Sequence, residues 1–178
     1  MTVYRNFVDI AATPEQVWPF LADFPTMLEW FSKNSPVLPP EKIEQLDPTT
    51  WLASAADGQQ ATIAIMASEP GQRLSYQVMQ HNGAPLNMSQ RHEFDLDIIE
   101  GGTSVTWTVD YELSGGRFLP DMVLKFTAAQ QLPDMVIYSL DNLKDIVEES
   151  TNEKDKPDID YFDDDDDGGD GSPGPDHA

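Results

Sequence analysis

With 178 residues, no cysteine and 39% apolar side chains, the chain has room for one domain with a sizeable core but cannot form disulfides, zinc–thiolate sites or a thiol nucleophile. Its 32 acidic against 10 basic residues leave a net charge of −22, which repels phosphate backbones and excludes the basic, aromatic-interleaved surface that DNA or RNA binding needs. The acid excess is not confined to one end: residues 1–150 carry 21 acidic and 8 basic side chains and residues 151–178 carry 11 and 2, net charges of −13 and −9. Scarce lysine and abundant aspartate keep a protein soluble in concentrated salt, where screening removes self-repulsion. The composition therefore predicts a halophilic chain whose thermal midpoint rises between dilute buffer and molar sodium chloride; a flat midpoint would contradict it.

The first element is a strand, Val3–Ile10, where β-branched and aromatic residues mix. Thr13-Pro14-Glu15 then supplies an N-cap and a proline at the first helical position, with Val17, Trp18 and Leu21 at helical spacing behind them. Pro25 ends that helix and starts a second short one over Thr26–Phe31, in which Met27, Leu28, Trp30 and Phe31 crowd apolar surface into a small space. The N-terminal Met1-Thr2-Val3-Tyr4-Arg5-Asn6 has no basic stretch leading into an apolar run, and no later segment approaches the ~18 apolar residues of a membrane span. A cytoplasmic protein without stable membrane insertion is expected.

From Lys42 to Leu113 the pattern becomes short runs divided by turn residues: Lys42–Leu46, Thr50–Ala55, Ala61–Ser68, Arg73–Gln80, Met88–Ile99 and Thr103–Leu113. Asp47-Pro48, Asp57-Gly58, Pro70-Gly71, Asn82-Gly83 and Gly101-Gly102 punctuate them, and such brief links predict an antiparallel meander. Val105, Trp107, Val109, Tyr111 and Leu113 alternate with Thr106, Thr108, Asp110 and Glu112, so one face of this strand is buried. Met88, Gln90, His92, Phe94, Leu96 and Ile98 share the matching face of its partner, which puts two polar groups, Gln90 and His92, inward. Leu74, Tyr76 and Val78 extend that face on the preceding strand.

After Ser114-Gly115-Gly116 the period turns helical, with Met122, Phe126, Ala129, Pro133, Val136, Leu140, Leu143 and Val147 in one stripe. This predicts one helix of roughly 30 residues, or two in line, with Pro133 as the kink. Leu-Pro-Asp-Met-Val occurs at 119–123 and again at 132–136; we read it as two helix-start signals. Residues 151–178 form an expected disordered acidic tail, too polar to offset the entropy of ordering. Within it Asp163, Asp165, Asp167 and Gly168 match half of an EF-hand loop, but Gly174 stands where the bidentate glutamate belongs, so no metal is expected.

Strand, two short helices, six strands and a long terminal helix is the order of the helix-grip fold. Phe7-Val8-Asp9-Ile10-Ala11-Ala12-Thr13-Pro14-Glu15-Gln16-Val17-Trp18 resembles the opening of the START/SRPBCC superfamily, where a strand meets a "small-x-Pro-Glu-x-Val-Trp" helix start. Leu21-Ala22-Asp23-Phe24-Pro25 with Trp30-Phe31 resembles its second helix, and Leu140 to Glu148 is similar to the "Leu-x-x-Leu-Lys-x-x-x-Glu" close of its terminal helix. The resemblance covers residues 1–150. It implies an α+β helix-grip domain, a seven-stranded antiparallel sheet wrapped around a long C-terminal helix, with a cavity between them for a hydrophobic molecule such as a lipid, polyketide or quinone.

On that reading Tyr76, Gln90, His92, Trp107 and Tyr111 line the cavity, Trp30 and Phe31 gate it, and Met122 and Phe126 close it from the helix side. His92 is either a core histidine or a group that orients or deprotonates a ligand. The aromatic residues either fill the core or stack on the guest. Three functions stay open: carriage of a small hydrophobic ligand; a polyketide cyclase or dehydratase with His92 as base and Tyr76 or Tyr111 as proton donor; and protein interaction through the acidic tail. No phosphate-binding glycine loop, metalloprotease helix or nucleophile elbow occurs in the sequence, so no cofactor is called for.

Overall fold

The structure, a computed structural model, describes residues 2–31, 40–54, 58, 60–81, 86–115 and 121–154, with the backbone alone at 2, 80–81, 86–89, 112–115, 121–131 and 153–154. The EF-hand-like run and the rest of 155–178 lie outside the described residues.

Alternating burial defines β1 (Thr2–Ile10): Tyr4, Asn6, Val8 and Ile10 turn toward the core while Val3, Arg5, Phe7 and Asp9 face solvent. Strands β2 (Lys42–Asp47), β3 (Thr50–Ser54), β4 (Gln60–Glu69), β5 (Arg73–His81), β6 (Leu86–Ile99) and β7 (Gly102–Gly115) complete one seven-stranded sheet in the order β1-β7-β6-β5-β4-β3-β2. Every pairing is antiparallel. Two short helices, α1 (Pro14–Ala22) and α2 (Phe24–Phe31), lie in the chain between the strands that form the sheet's two edges. A register shift between Ile65 and Ala67 leaves Met66 exposed on the bulge, the kind of irregularity that bends a sheet around what it covers.

The local signals explain the helix boundaries. Thr13 precedes α1, and its backbone N–H donates to Gln16 Oε1 at 2.8 Å, satisfying the helix entrance from within. Helix α2 begins at Phe24 rather than Thr26, because Pro25 fits the first turn, where no N–H is required. Its last carbonyls are met from outside: Ser139 Oγ donates to Phe31 O at 3.4 Å and Asn142 Nδ2 to Trp30 O at 3.0 Å.

Those two donors belong to α3 (Asp121–Lys154), a single 34-residue helix that runs through Pro133 and four residues past the expected end of the domain. Its buried stripe is Leu132, Met135, Val136, Ser139, Leu140, Leu143 and Val147, with Pro133 at the half-buried border. Near its C-terminus α3 clamps the end of β1. Glu148 Oε1 accepts the Ala11 backbone N–H at 2.8 Å, and Lys144 Nζ donates to Asp9 O and to Glu148 Oε1. The Ala11 N–H, and after it Lys144, holds the Glu148 carboxyl below the ordinary carboxylate range. The opening and closing sequence motifs are thus bonded to each other.

The β6–β7 hairpin turns on Glu100-Gly101, with Gly101 at φ +84°, and not on Gly101-Gly102 as the sequence suggested. Gly102 is a strand residue, and its lack of a side chain has another cause. A Cβ there would come 2.0 Å from Ile10 O, a backbone atom that cannot swing aside. Gly102→Ala should therefore cost about 1–3 kcal/mol or more through forced backbone displacement. Urea unfolding checks this, and an unshifted midpoint would show that the junction of β1 and β7 yields freely.

Candidate functional site

Strand register arranges the inward residues in rows that climb the sheet from the β6–β7 turn. Val8, Val105 and Leu96 form one row; Asn6, Trp107, Phe94 and Leu74 the next; then Tyr4, Val109, His92, Tyr76 and Ile65. The row beyond is Thr2, Tyr111, Gln90, Val78, Ile63 and Trp51.

The middle rows interlock. Trp107 and Phe94 stack with centroids 4.9 Å apart, Trp30 meets both edge-on at 6.1 and 6.2 Å, and Tyr76 lies flat on His92 at 4.8 Å and 11°. Phe24 closes the cluster edge-on to Tyr76 at 5.1 Å. Trp30, Trp107, Tyr76, Phe24, Phe94 and His92 are all fully buried. Such offset and T-shaped contacts suit the ring quadrupoles and add about 0.5–1.5 kcal/mol per pair to ordinary burial.

A ladder of polar bonds climbs through this cluster. The Trp107 indole N–H donates to His92 Nδ1 at 3.2 Å, and His92 Nε2 lies 3.0 Å from Gln90 Oε1. An indole nitrogen only donates, so Nδ1 must be the acceptor and Nε2 must carry the proton that goes to Gln90. Burial drives the imidazole from its ordinary 6.5 down to about 3, so the ring is neutral. Tyr76 is held as a neutral phenol by the same desolvation, its hydroxyl 3.6 Å from Met27 Sδ. No charged side chain is buried among the described residues, and none of their acidic, histidine or cysteine groups forms a metal cluster.

The sequence placed Tyr76, His92 and Trp107 on the inward face of the sheet, and the structure packs them against one another and against Trp30, the expected gate residue, as one unit. Trp30 is wholly enclosed, its Nε1 donating to Phe20 O at 2.9 Å, while Phe31 is half-buried against Trp30 and Trp107. Gln90 and Tyr111 pair across β6 and β7 one row higher. Met122 and Phe126 belong to the first turns of α3, but their side chains lie outside the described residues. Sequence reasoning missed Phe24, a core ring, and Trp51, the inward residue of β3. For Trp51 the sequence offered only its alternation with Thr50 and Leu52, which sets it on the same face as Ala53 and marks it as core rather than as a site residue. A surface groove beside Thr13–Gln16, Ile98 and Gly101 lies at the opposite end of the sheet from Tyr111 and Gln90.

A family model described as polyketide cyclase / dehydrase and lipid transport matches residues 1–148, nearly all of the sheet and α3. The chain belongs to that family. Among solved structures it is similar to a conserved protein from Geobacillus kaustophilus, at 16% identity over 84% of this chain and 97% of that one, with a TM-score of 0.63. It is also similar to an uncharacterized protein from Rhizobium leguminosarum, at 13% identity over 83% and 95% of the two chains, TM-score 0.58. DynU16, a protein of the dynemicin biosynthetic locus, shares 16% identity over 83% of this chain and 48% of its own length, TM-score 0.57. No curated protein matches the sequence. At such identities the neighbours establish the helix-grip fold alone. Within this polyketide cyclase/dehydrase and lipid transport family, the motif residues Lys144 and Glu148 of this chain serve architecture, tying α3 to β1. Among the described residues, no helix is long and apolar enough to cross a membrane.

Proposed function

We propose that this member of the family is a binding protein that encloses a small hydrophobic molecule between the upper inward row of the sheet, Tyr111, Gln90, Val78 and Ile63, and the N-terminal half of α3. The observation that carries this reading is the state of His92. Its Nδ1 lone pair is taken by Trp107, its Nε2 proton is given to Gln90, and burial keeps it neutral to about pH 3. A general base needs a free lone pair within reach of a substrate proton and an affinity for that proton near the working pH. His92 has neither. It acts instead as a spacer that sets the Gln90 amide, with its oxygen toward the imidazole, at the floor of the row above.

The same row supplies what a carrier uses: aliphatic Val78 and Ile63 for apolar contact, with polar groups at intervals to fix orientation. The cyclase reading would require two polar groups poised to exchange protons with a guest. Tyr76 and His92 are committed to one another and to the core, which favours carriage over turnover.

Val78 sits between Ile63 and Gln90, so an indole there would occupy the guest's space. The full chain should bind the neutral probe N-phenyl-1-naphthylamine with a blue-shifted rise in emission. Val78→Trp should weaken that binding at least tenfold while far-UV circular dichroism stays unchanged. Equal binding by the two proteins, or none by the parent, would remove the support for this site.

A further inference from the structure

Two buried polar side-chain atoms find no hydrogen-bond partner among the described residues: Ser75 Oγ and Trp51 Nε1. Ser75 lies between inward-facing Leu74 and Tyr76 and so belongs to the outer face of the sheet. Trp51 belongs to the inner face, in the same row as Ile63, Val78, Gln90 and Tyr111. Its ring is steadied by Phe24, 5.4 Å away at 55°. An indole N–H hidden from water without an acceptor costs about 1–3 kcal/mol, and native proteins tolerate few such groups unless a function uses them. The two fully buried indoles are satisfied within the protein, Trp30 by Phe20 O and Trp107 by His92. The Trp51 N–H is not, and it stands beside the surface assigned above to the guest.

Resting on that binding role, we propose that Trp51 Nε1–H is the polar anchor of the site: it donates to a carbonyl-type oxygen at one end of an elongated, otherwise apolar ligand that lies across Ile63 and Val78 toward Gln90 and Tyr111. Four consecutive strands carry this row from Trp51 to Gln90. At the usual strand spacing the two ends are roughly 14 Å apart. That length fits a fused-ring or extended acyl molecule better than a compact one. A charged headgroup does not suit the anchor, because a single neutral N–H cannot replace the hydration of an ion in a row without cationic partners. A ketone, ester, amide or quinone oxygen needs only one donor and satisfies the orphaned indole while doing so.

The test uses a matched pair of neutral naphthalenes, prodan, which carries a ketone, and its analogue in which the propionyl group is replaced by propyl. The full chain should bind prodan five- to tenfold more tightly than the propyl analogue, which is the margin of one net hydrogen bond. Bound prodan should emit to the red of its emission in a dry hydrocarbon, since its carbonyl accepts a proton donor. Trp51→Phe should bring prodan down to the affinity of the analogue, shift its emission to the blue, and leave the analogue's binding unchanged. Equal affinity for the two probes in the parent chain, or parallel loss of both in Trp51→Phe, would overturn the anchor while leaving the binding role intact. Should neither probe bind the parent chain, the binding role itself fails and the anchor with it. If the variant does not fold, the parent chain's preference between the probes and the emission of bound prodan still decide the matter.

Discussion

Trp107→Ala should lower the unfolding free energy by about 5 kcal/mol, the upper end of the range for deleting a buried aromatic ring. Trp107 touches Phe94, Trp30, Phe31 and His92 with centroids between 4.9 and 6.1 Å, so no neighbour can collapse into its space without breaking another ring contact. The loss has a second part, since His92 Nδ1 would then face the core with no donor. Against a typical domain stability of about 5–15 kcal/mol, one substitution would remove a large share of the total. Trp107→Phe separates the parts: it keeps most of the ring packing, removes the N–H, and should cost about 1–3 kcal/mol. Urea titrations followed by far-UV circular dichroism measure both. A loss below about 1 kcal/mol for Trp107→Ala would mean that the aromatic cluster does not hold the sheet to the helices.

His92 also gives the fold an acid sensitivity with a defined sign. In the folded chain it takes a proton only near pH 3, whereas in the unfolded chain it does so near 6.5. Between those values the unfolded state holds the extra proton, so the stability from neutral His92 is complete above about pH 6.5 and falls as the pH drops, by about 1.4 kcal/mol per unit. His92→Gln can still accept from Trp107 and donate to Gln90, but it does not titrate. Between pH 7 and pH 4.5 the parent chain should therefore lose about 2.5 kcal/mol more than the variant. The many carboxylates act alike in both proteins and drop out of the difference. Parallel stability profiles would contradict a buried, neutral imidazole.

The strands were legible because alternation is a local property. Val105, Trp107, Val109 and Tyr111 announce their face without reference to any partner, and so do Gln90, His92 and Phe94. What those faces do to one another is set by register. Tyr76 stacks on His92 because the two are paired across β5 and β6. Counting back from the hairpin would have placed Phe94 opposite Trp107, but the turn was read one residue late: Gly101-Gly102 looks like a turn, while Gly102 is glycine because Ile10 O leaves no room for a Cβ. A close approach between segments some 90 positions apart leaves no local trace. The helix stripe was in phase at Val136, Leu140, Leu143 and Val147, all buried, but too narrow: Leu132 and Met135 also reach the core, while Pro133, which fitted the apolar period, is only half-buried.

The candidate site was half legible. Alternation put Tyr76, Gln90, His92 and Trp107 on one inward face, as the register has them, and the polarity of Gln90 and His92 on that face was visible in the sequence. Their roles needed hydrogen-bond partners in three dimensions, and these turned His92 from a possible base into the spacer between Trp107 and Gln90. Trp51 was invisible as a site residue because a tryptophan on a short strand is ordinarily core, and only the lack of an acceptor for its N–H sets it apart.

Native mass spectrometry of the full chain, purified from its own host without organic solvent, tests the binding role most directly. The spectrum should contain the chain plus one uncharged molecule of a few hundred daltons in a one-to-one complex, released on collisional heating and absent after organic extraction. A spectrum showing the bare chain alone, unchanged by extraction, would contradict the proposal that this protein encloses a hydrophobic guest.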